Sequence, residues 1–268
     1  MRFPHATRVV VLLVTLLCLG SAPAVAADTS SVIDAGGQRQ WISCAGSGAP
    51  TVVISSGLRA DHTMWRKVLG PIAERTRVCI TDRPGLGSSP ARRGVKTVDA
   101  GLHAAELRAV LRAAGEPGPY VLVGHSYAGL IVRAFAASHP QEVAGVLLLD
   151  AVWPGIHTEM GSGYASPWNE GGTKVDIAAS SRASRGGPVL GATPLIVISA
   201  GDPDAVRTGT GRLWNRRQAD AARLSTRGEL WFATRSGHKI QVDQPRIVLR
   251  AIDRLLAQAR ADGNAASG

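Results

Sequence analysis

One serine constrains this chain more than any other residue. Ser126 lies in Gly124-His125-Ser126-Tyr127-Ala128-Gly129, after the β-branched run Tyr120-Val121-Leu122-Val123 and before the apolar run Leu130–Ala137. The first run has the length and composition of a buried strand, the second of a buried helix. A serine on so sharp a strand-to-helix turn is held with its Oγ exposed, ready to attack a carbonyl carbon. Small residues are needed two places before and two after it, because strand and helix approach closely there. Gly124 meets the first need. Ala128 stands at the second, and Gly129 comes one place late. A pattern this short also arises by chance, but the strand before it and the helix after it argue against chance here.

The rest of the chain continues the alternation. Ser31–Ala35 and Gln38–Cys44 flank Gly36-Gly37, a two-residue hairpin signal. Thr51–Ser55, Arg77–Thr81, Val143–Leu149, Pro194–Ser199 and Glu229–Thr234 read as further strands. Trp65, Val68, Leu69 and Ile72 place a helix at Thr63–Thr76. Leu107, Val110, Leu111 and Ala114 place another, closed by Gly115 and Pro117. Arg212–Leu224 and Pro245–Gln258 are helical, and Ala261–Gly268 reads as frayed. This order predicts an α/β fold: a mostly parallel central sheet, helices on both faces, and an N-terminal antiparallel hairpin. A hydrophobic content of 45% suffices for one well-packed core, so residues 27–268 read as a single domain. Gly155–Gly191 is rich in Gly and Ser with little periodicity, and reads as a short lid-like insertion or mobile loop.

Residues 1–26 have the form of a cleaved Sec-type signal peptide. Arg2 and Arg8 give a basic start, Val9–Leu19 an apolar stretch too short to span a bilayer, and Ala24-Val25-Ala26 a small-residue cleavage site. A secreted or extracytoplasmic destination is expected, without stable membrane insertion. Cleavage would remove Cys18 and leave Cys44 and Cys79, an even pair that in an oxidising compartment points to a disulfide; two separate buried thiols are the alternative. The formal charge of +10 comes mostly from arginine, with Lys67, Lys96, Lys174 and Lys239 the only lysines. No basic block interleaved with aromatics occurs, so no nucleic-acid partner is expected. Neither His-x-x-x-His nor Cys-x-x-Cys nor a phosphate-cradling glycine loop is present, so no metal and no cofactor are expected. Nothing in the sequence speaks to oligomeric state.

Over Ser31–Arg260 the chain resembles the α/β-hydrolase fold family, in the manner of its secreted esterase-like serine hydrolases. Ser56-Gly57-Leu58 lies where that family carries a His-Gly-x loop, with Ser56 in place of the histidine. Asp82-Arg83-Pro84-Gly85-Leu86-Gly87-Ser88-Ser89 is similar to its D-x-x-G-x-G-x-S turn, and Ser126 matches its nucleophile. Ser236-Gly237-His238, followed by Gln244-Pro245, is similar to its histidine loop after the last strand. The resemblance implies backbone N–H groups of Leu58 and Tyr127 as the oxyanion hole. It also implies a second strand beside the fourth, which would bring Cys44 and Cys79 together.

The chemistry of the residues runs the same way. A serine hydroxyl at neutral pH needs an adjacent base, and histidine can take the proton and return it to the leaving group. Of seven histidines, His5 falls in the leader. His125 reads as a buried packing residue, His103 as a helix-surface residue and His139 as a helix end. His62 and His157 read as loop residues near the pocket mouth. His238 is the best candidate, since it begins the loop after the last strand and completes the order serine, acid, histidine. The acid expected is Asp150, at the end of the strand after the nucleophile helix, with Asp204 in the Gly201 loop as a close alternative. The expected function is a secreted serine hydrolase cleaving a small ester-like substrate through an acyl-enzyme. Thioesterase, amidase or lyase chemistry on the same triad, or a non-catalytic binding module with this fold, stays open. Trp153, Tyr164 and Trp168 are candidate pocket aromatics.

Overall fold

A computed structural model describes residues 28–161, 164, 168–185, 190–201 and 208–267. The expected leader and the alternative acid Asp204 lie outside the described residues. The chain opens with β1 (Thr29–Ala35) and β2 (Gln38–Ala45), antiparallel across Gly36 and Gly37. These two glycines have φ of 72° and 87°, the left-handed values that a tight hairpin demands. Then come β3 (Thr51–Ser55), α1 (Arg66–Ala73), β4 (Val78–Asp82), β5 (Thr97–Val98), α2 (Ala100–Ala113), β6 (Tyr120–His125), α3 (Ala128–Ser138) and β7 (Val143–Leu149). The second half holds α4 (Ile156–Glu159), β8 (Trp168–Glu170), β9 (Thr173–Val175), α5 (Ile177–Arg185), β10 (Leu195–Ala200), α6 (Gly209–Ala222), β11 (Gly228–Ala233), α7 (Ile240–Asp243) and α8 (Pro245–Ser267).

Eight strands form one sheet in the order β1-β2-β4-β3-β6-β7-β10-β11. The pairs from β4 to β11 are parallel, and β2 runs antiparallel to both β1 and β4. The central strands are mostly apolar and buried along nearly their whole length because both faces are covered. Val53, Leu122, Leu148 and Val197 share one core with Leu107, Val110 and Leu111 of α2 and Leu130, Ile131 and Phe135 of α3. Their strand neighbours Val52, Val121, Val123, Leu147 and Ile196 share the other with Val68 and Ile72 of α1 and Val248, Ile252 and Leu255 of α8. No described helix is long and apolar enough to cross a membrane.

Three segments differ from the sequence expectation. The helix expected over Thr63–Thr76 starts as a 3₁₀ turn at His62–Trp65 and ends at Ala73, with Pro71, which lacks an N–H, in its last turn. The tail expected to fray is helical to Ser267. Alanine-rich composition favours that, and side chains tie it down: Arg260 donates to the carbonyls of Ala49 and Arg75, and Asp262 pairs with Arg227 at 2.6 Å. Finally, the Gly155–Gly191 segment holds β8, β9 and α5 within its described residues. Gly171 and Gly172, at φ 56° and 77°, make a second Gly-Gly hairpin like Gly36-Gly37. β9 pairs with β5 in a small sheet ordered β5-β9-β8, and α5 packs on α2 and α3. The backbone of Gly171 lies so close to that of Gly85 that a Cβ on either would sit 2.5 Å from a carbonyl oxygen of the other's turn.

Cys44 stands directly opposite Cys79 across the β2–β4 ladder, and the two form a disulfide closing a separation of 35 residues. Chain entropy for a loop of that length gives about 4 kcal/mol of stabilisation. The paired Cys44→Ala, Cys79→Ala variant should therefore melt several degrees lower in calorimetry than the parent. An unchanged melting temperature would show that the bond contributes nothing.

Candidate active site

The site lies at the carboxyl edge of the parallel strands, where loops from neighbouring strands converge. β6 ends at His125, and Ser126 follows with φ 55°. A left-handed serine costs on the order of 1–3 kcal/mol, and its surroundings hold it there. Its N–H donates to the Leu149 carbonyl at 3.1 Å, and its carbonyl accepts from Gly129 N and Val152 N, each at 2.9 Å. The flanking glycines are required by packing. A Cβ on Gly124 would lie 2.7 Å from the Ala128 carbonyl oxygen and 2.8 Å from Val132 Cγ2; one on Gly129 would lie 2.5 Å from the Ala151 Cβ. The glycine that comes one place late thus makes room for the segment after β7, while Ala128 is fully buried beside it.

β7 delivers Asp150 on the next connection, with φ 42° and its N–H bonded to the Ile198 carbonyl at 2.8 Å. Its buried carboxylate is fully engaged. Oδ2 is 2.7 Å from His238 Nδ1, while Oδ1 accepts from Ala200 N at 3.0 Å and Trp214 Nε1 at 2.8 Å. His238 sits between β11 and α7 with 46% of its side chain exposed. A carboxylate on Nδ1 selects the tautomer that carries its proton there and leaves Nε2 as the basic nitrogen. Ser126, Asp150, His238 and Leu58 all line one cavity of about 410 Å³, walled by Val152, Met160, Tyr164, Trp168 and Trp214.

Trp214 carries no sequence signal, since a tryptophan on an amphipathic helix reads as ordinary packing; only the tertiary structure brings it to Asp150. Trp153 does not reach the cavity but packs edge-on against Trp214 at 5.0 Å, its Nε1 bonded to Glu159. His62 pairs with Asp82 at 2.7 Å and stacks on Trp41, and His157 meets Ser181 at 3.3 Å; neither lines the cavity.

The Ser56-Gly57-Leu58 loop lies directly against the serine. A Cβ on Gly57 would be 2.9 Å from His125 Nδ1 and 3.1 Å from Ser126 Cβ. Ser56 Oγ accepts from Trp65 Nε1 at 2.9 Å and donates to the Asp61 carbonyl at 3.2 Å. Beneath the loop, Arg83 and Glu170 form a buried bidentate ion pair at 2.6 Å. Burial is the largest single influence and opposes both charges, but the partner's charge and hydrogen bonds, with smaller contributions from neighbouring groups, together overcome it, so Arg83 is held above and Glu170 below its ordinary pKa.

Two histidines beside the site are buried and neutral. His125 donates from Nε2 to the His238 carbonyl at 2.8 Å, and its Nδ1 has no partner among the described residues. Burial, with the neighbouring His238, pushes its pKa down to about 4. His103, expected on a helix surface, is instead 3% exposed and hydrogen-bonded to the Tyr127 hydroxyl at 3.1 Å. Burial, with the Arg83 charge, pushes it down to about 3. The unfolded chain binds these protons from about pH 6.5 downward and the folded chain does not, so stability is full above that value and falls on acidification. At pH 4 the loss is about 3 kcal/mol for each ring. Urea titrations from pH 7 to pH 4 should show this decline, and His103→Gln should flatten it. A decline of equal slope in the variant would assign the acid sensitivity elsewhere.

Comparison with known proteins agrees with this architecture. A family model described as alpha/beta hydrolase fold matches residues 50–181. The chain is 28% identical over 214 residues to the uncharacterized protein YqjL of Bacillus subtilis, covering 77% of this chain and 83% of that one. It is also 28% identical over 123 residues to a pimeloyl-[acyl-carrier protein] methyl ester esterase of Aeromonas hydrophila, covering 43% of this chain and 46% of that protein. This chain spans less than half the length of several other curated relatives that it matches. Among solved structures, a thermophilic esterase from Thermogutta terrifontis superposes with a TM-score of 0.63 at 20% identity, over 87% of this chain and 99% of that one.

Proposed function

We propose, for a chain that belongs to the α/β-hydrolase fold family, that it hydrolyses a small ester-like substrate through an acyl-enzyme on Ser126. The observation that carries this reading is the 2.7 Å bond between Asp150 and His238 in a cavity shared with a serine in left-handed backbone conformation. In this mechanism His238 Nε2 takes the Ser126 proton as Oγ attacks the carbonyl carbon. Asp150 holds the imidazole in the required tautomer and stabilises its cation. The oxyanion is met by the N–H groups of Leu58 and Tyr127, and each such donor contributes about 3 kcal/mol to the transition state. The imidazolium then protonates the departing alcohol. Water, deprotonated by the same ring, releases the acid product.

The cavity walls support a substrate with an apolar acyl or alcohol portion, since Val152, Met160, Trp168 and Trp214 contribute mostly apolar surface, while Tyr164, Thr208, Thr210 and Asn215 offer polar groups to orient the rest of the molecule. The esterase relative supports ester over amide cleavage. Tyr164 and Trp168 stand as a lid-like wall on one side of the cavity. The disulfide, together with the leader-like residues 1–26, supports secretion.

Two measurements test the reading together. A fluorophosphonate probe should label the protein at Ser126, and nitrophenyl esters of increasing acyl length should be turned over with a preferred length. A folded protein that takes no label and turns over no ester of the series would instead be a binding module with this fold.

A further inference from the structure

We infer that Arg83, locked in place by Glu170, is a positioning residue that orients and polarises the oxyanion hole. The inference rests on the proposed role of the Leu58 and Tyr127 amides and deepens it. Arg83 Nη2 donates to the Gly57 carbonyl and Nη1 to the Ser56 carbonyl, each at 2.6 Å. The Gly57 carbonyl and the Leu58 N–H belong to one planar peptide unit and point in opposite directions. A cation bonded to that oxygen therefore does two things to the N–H on the far side. It fixes the plane of the amide, and it draws electron density away from the nitrogen, which makes the N–H a stronger donor. The same guanidinium lies 5.7 Å from the ring centre of Tyr127, whose own N–H is the second proposed donor.

Glu170 completes the device beneath the same loop. Its Oε1 and Oε2 take Arg83 Nε and Nη2 at 2.6 Å, and Oε2 also accepts the Arg59 N–H at 2.9 Å. Arg59 has φ 57° and its Nε donates to the Asn169 carbonyl at 2.6 Å. One short strand, β8, thus supplies both a cavity wall, Trp168, and the anchor of the oxyanion loop. A guanidinium is the side chain suited to this task. It presents donors in a rigid fork, enough for two carbonyls and one carboxylate together, where an ammonium is a single point charge.

Simple loss of one partner would leave a buried charge and could unfold the protein, so the decisive variant removes both. Arg83→Met with Glu170→Met keeps apolar volume without either charge, and Arg83→Lys keeps the charge without the fork. Each is measured for kcat and KM on a nitrophenyl ester, for the pH dependence of the rate, for melting temperature, and for affinity toward a phenylboronic acid, whose serine adduct mimics the tetrahedral intermediate. Misdirecting an oxyanion donor should lower kcat by about 10²-fold. Boronate affinity should fall in the same proportion, with KM within about threefold and the shape of the pH profile unchanged. A folded double variant with wild-type kcat and boronate affinity overturns the inference and makes the pair purely structural. A wild-type protein that neither cleaves the ester nor takes the fluorophosphonate overturns the hydrolase reading itself, and the inference with it.

Discussion

Ser126→Ala will lower kcat on nitrophenyl esters by about 10⁵–10⁶-fold while leaving the melting temperature at or above that of the parent. Removing a serine nucleophile disables the whole triad, since base and acid then have no proton to move, and the loss is comparable to deleting all three residues. The residual rate comes from the oxyanion donors and from substrate binding. The fold should not suffer. The Ser126 carbonyl and N–H make the bonds that hold the turn, and the substitution leaves both in place. The strain of φ 55° persists, because alanine also disfavours the left-handed region. Circular dichroism, single-turnover kinetics and loss of fluorophosphonate labelling check this together. A folded Ser126→Ala variant with parental kinetics would remove the serine from the reaction.

Asp150→Asn will cost about 10⁴-fold in kcat, because an amide cannot enforce the proton on Nδ1 or stabilise the imidazolium, so the histidine turns to the wrong tautomer. The substitution is also a matter of hydrogen bonds. Oδ1 accepts from both Ala200 N and Trp214 Nε1, and Oδ2 faces His238. Asparagine has one acceptor oxygen for three donors, so it either keeps Ala200 and Trp214 and offers its NH₂ to His238, or breaks those bonds to turn round. Asp204→Asn, in the competing loop, should change kcat by less than about threefold on this assignment, since the imidazole then takes its carboxylate from Asp150 alone. The opposite ranking would transfer the role of the acid to Asp204.

Much of the fold was legible because its signals are local. Apolar β-branched runs of five to seven residues, helical stripes such as Leu107, Val110 and Leu111, and the Gly36-Gly37 turn each depend on neighbours in sequence, and each became the expected element. The β8–β9 hairpin carried an equally local sign in Gly171-Gly172, but strands of three residues are too short for an alternation to register. The tail failed for the opposite reason. Its helicity depends partly on bonds to Ala49, Arg75 and Arg227, none of them near in sequence.

The amino-acid order was enough to place Ser126 on a strand-to-helix turn and a histidine after the last strand, because both depend only on chain order and local backbone chemistry. It left open which aspartate would meet that histidine, since Asp150 and Asp204 both follow strands of one parallel sheet, and strand order alone brings either within reach of the same edge. Only the tertiary structure put Asp150 at 2.7 Å from His238, gave it Trp214 from α6 as a second donor, and buried Arg83 and Glu170 under the Ser56–Leu58 loop. The Asp150–Trp214, Arg83–Glu170 and Asp150–His238 contacts join residues 64 to 88 positions apart. Each sets a charged side chain against a hydrogen-bonding partner distant in sequence, and that partner arrives only when the sheet, the helices and the β8–β9 hairpin have packed together.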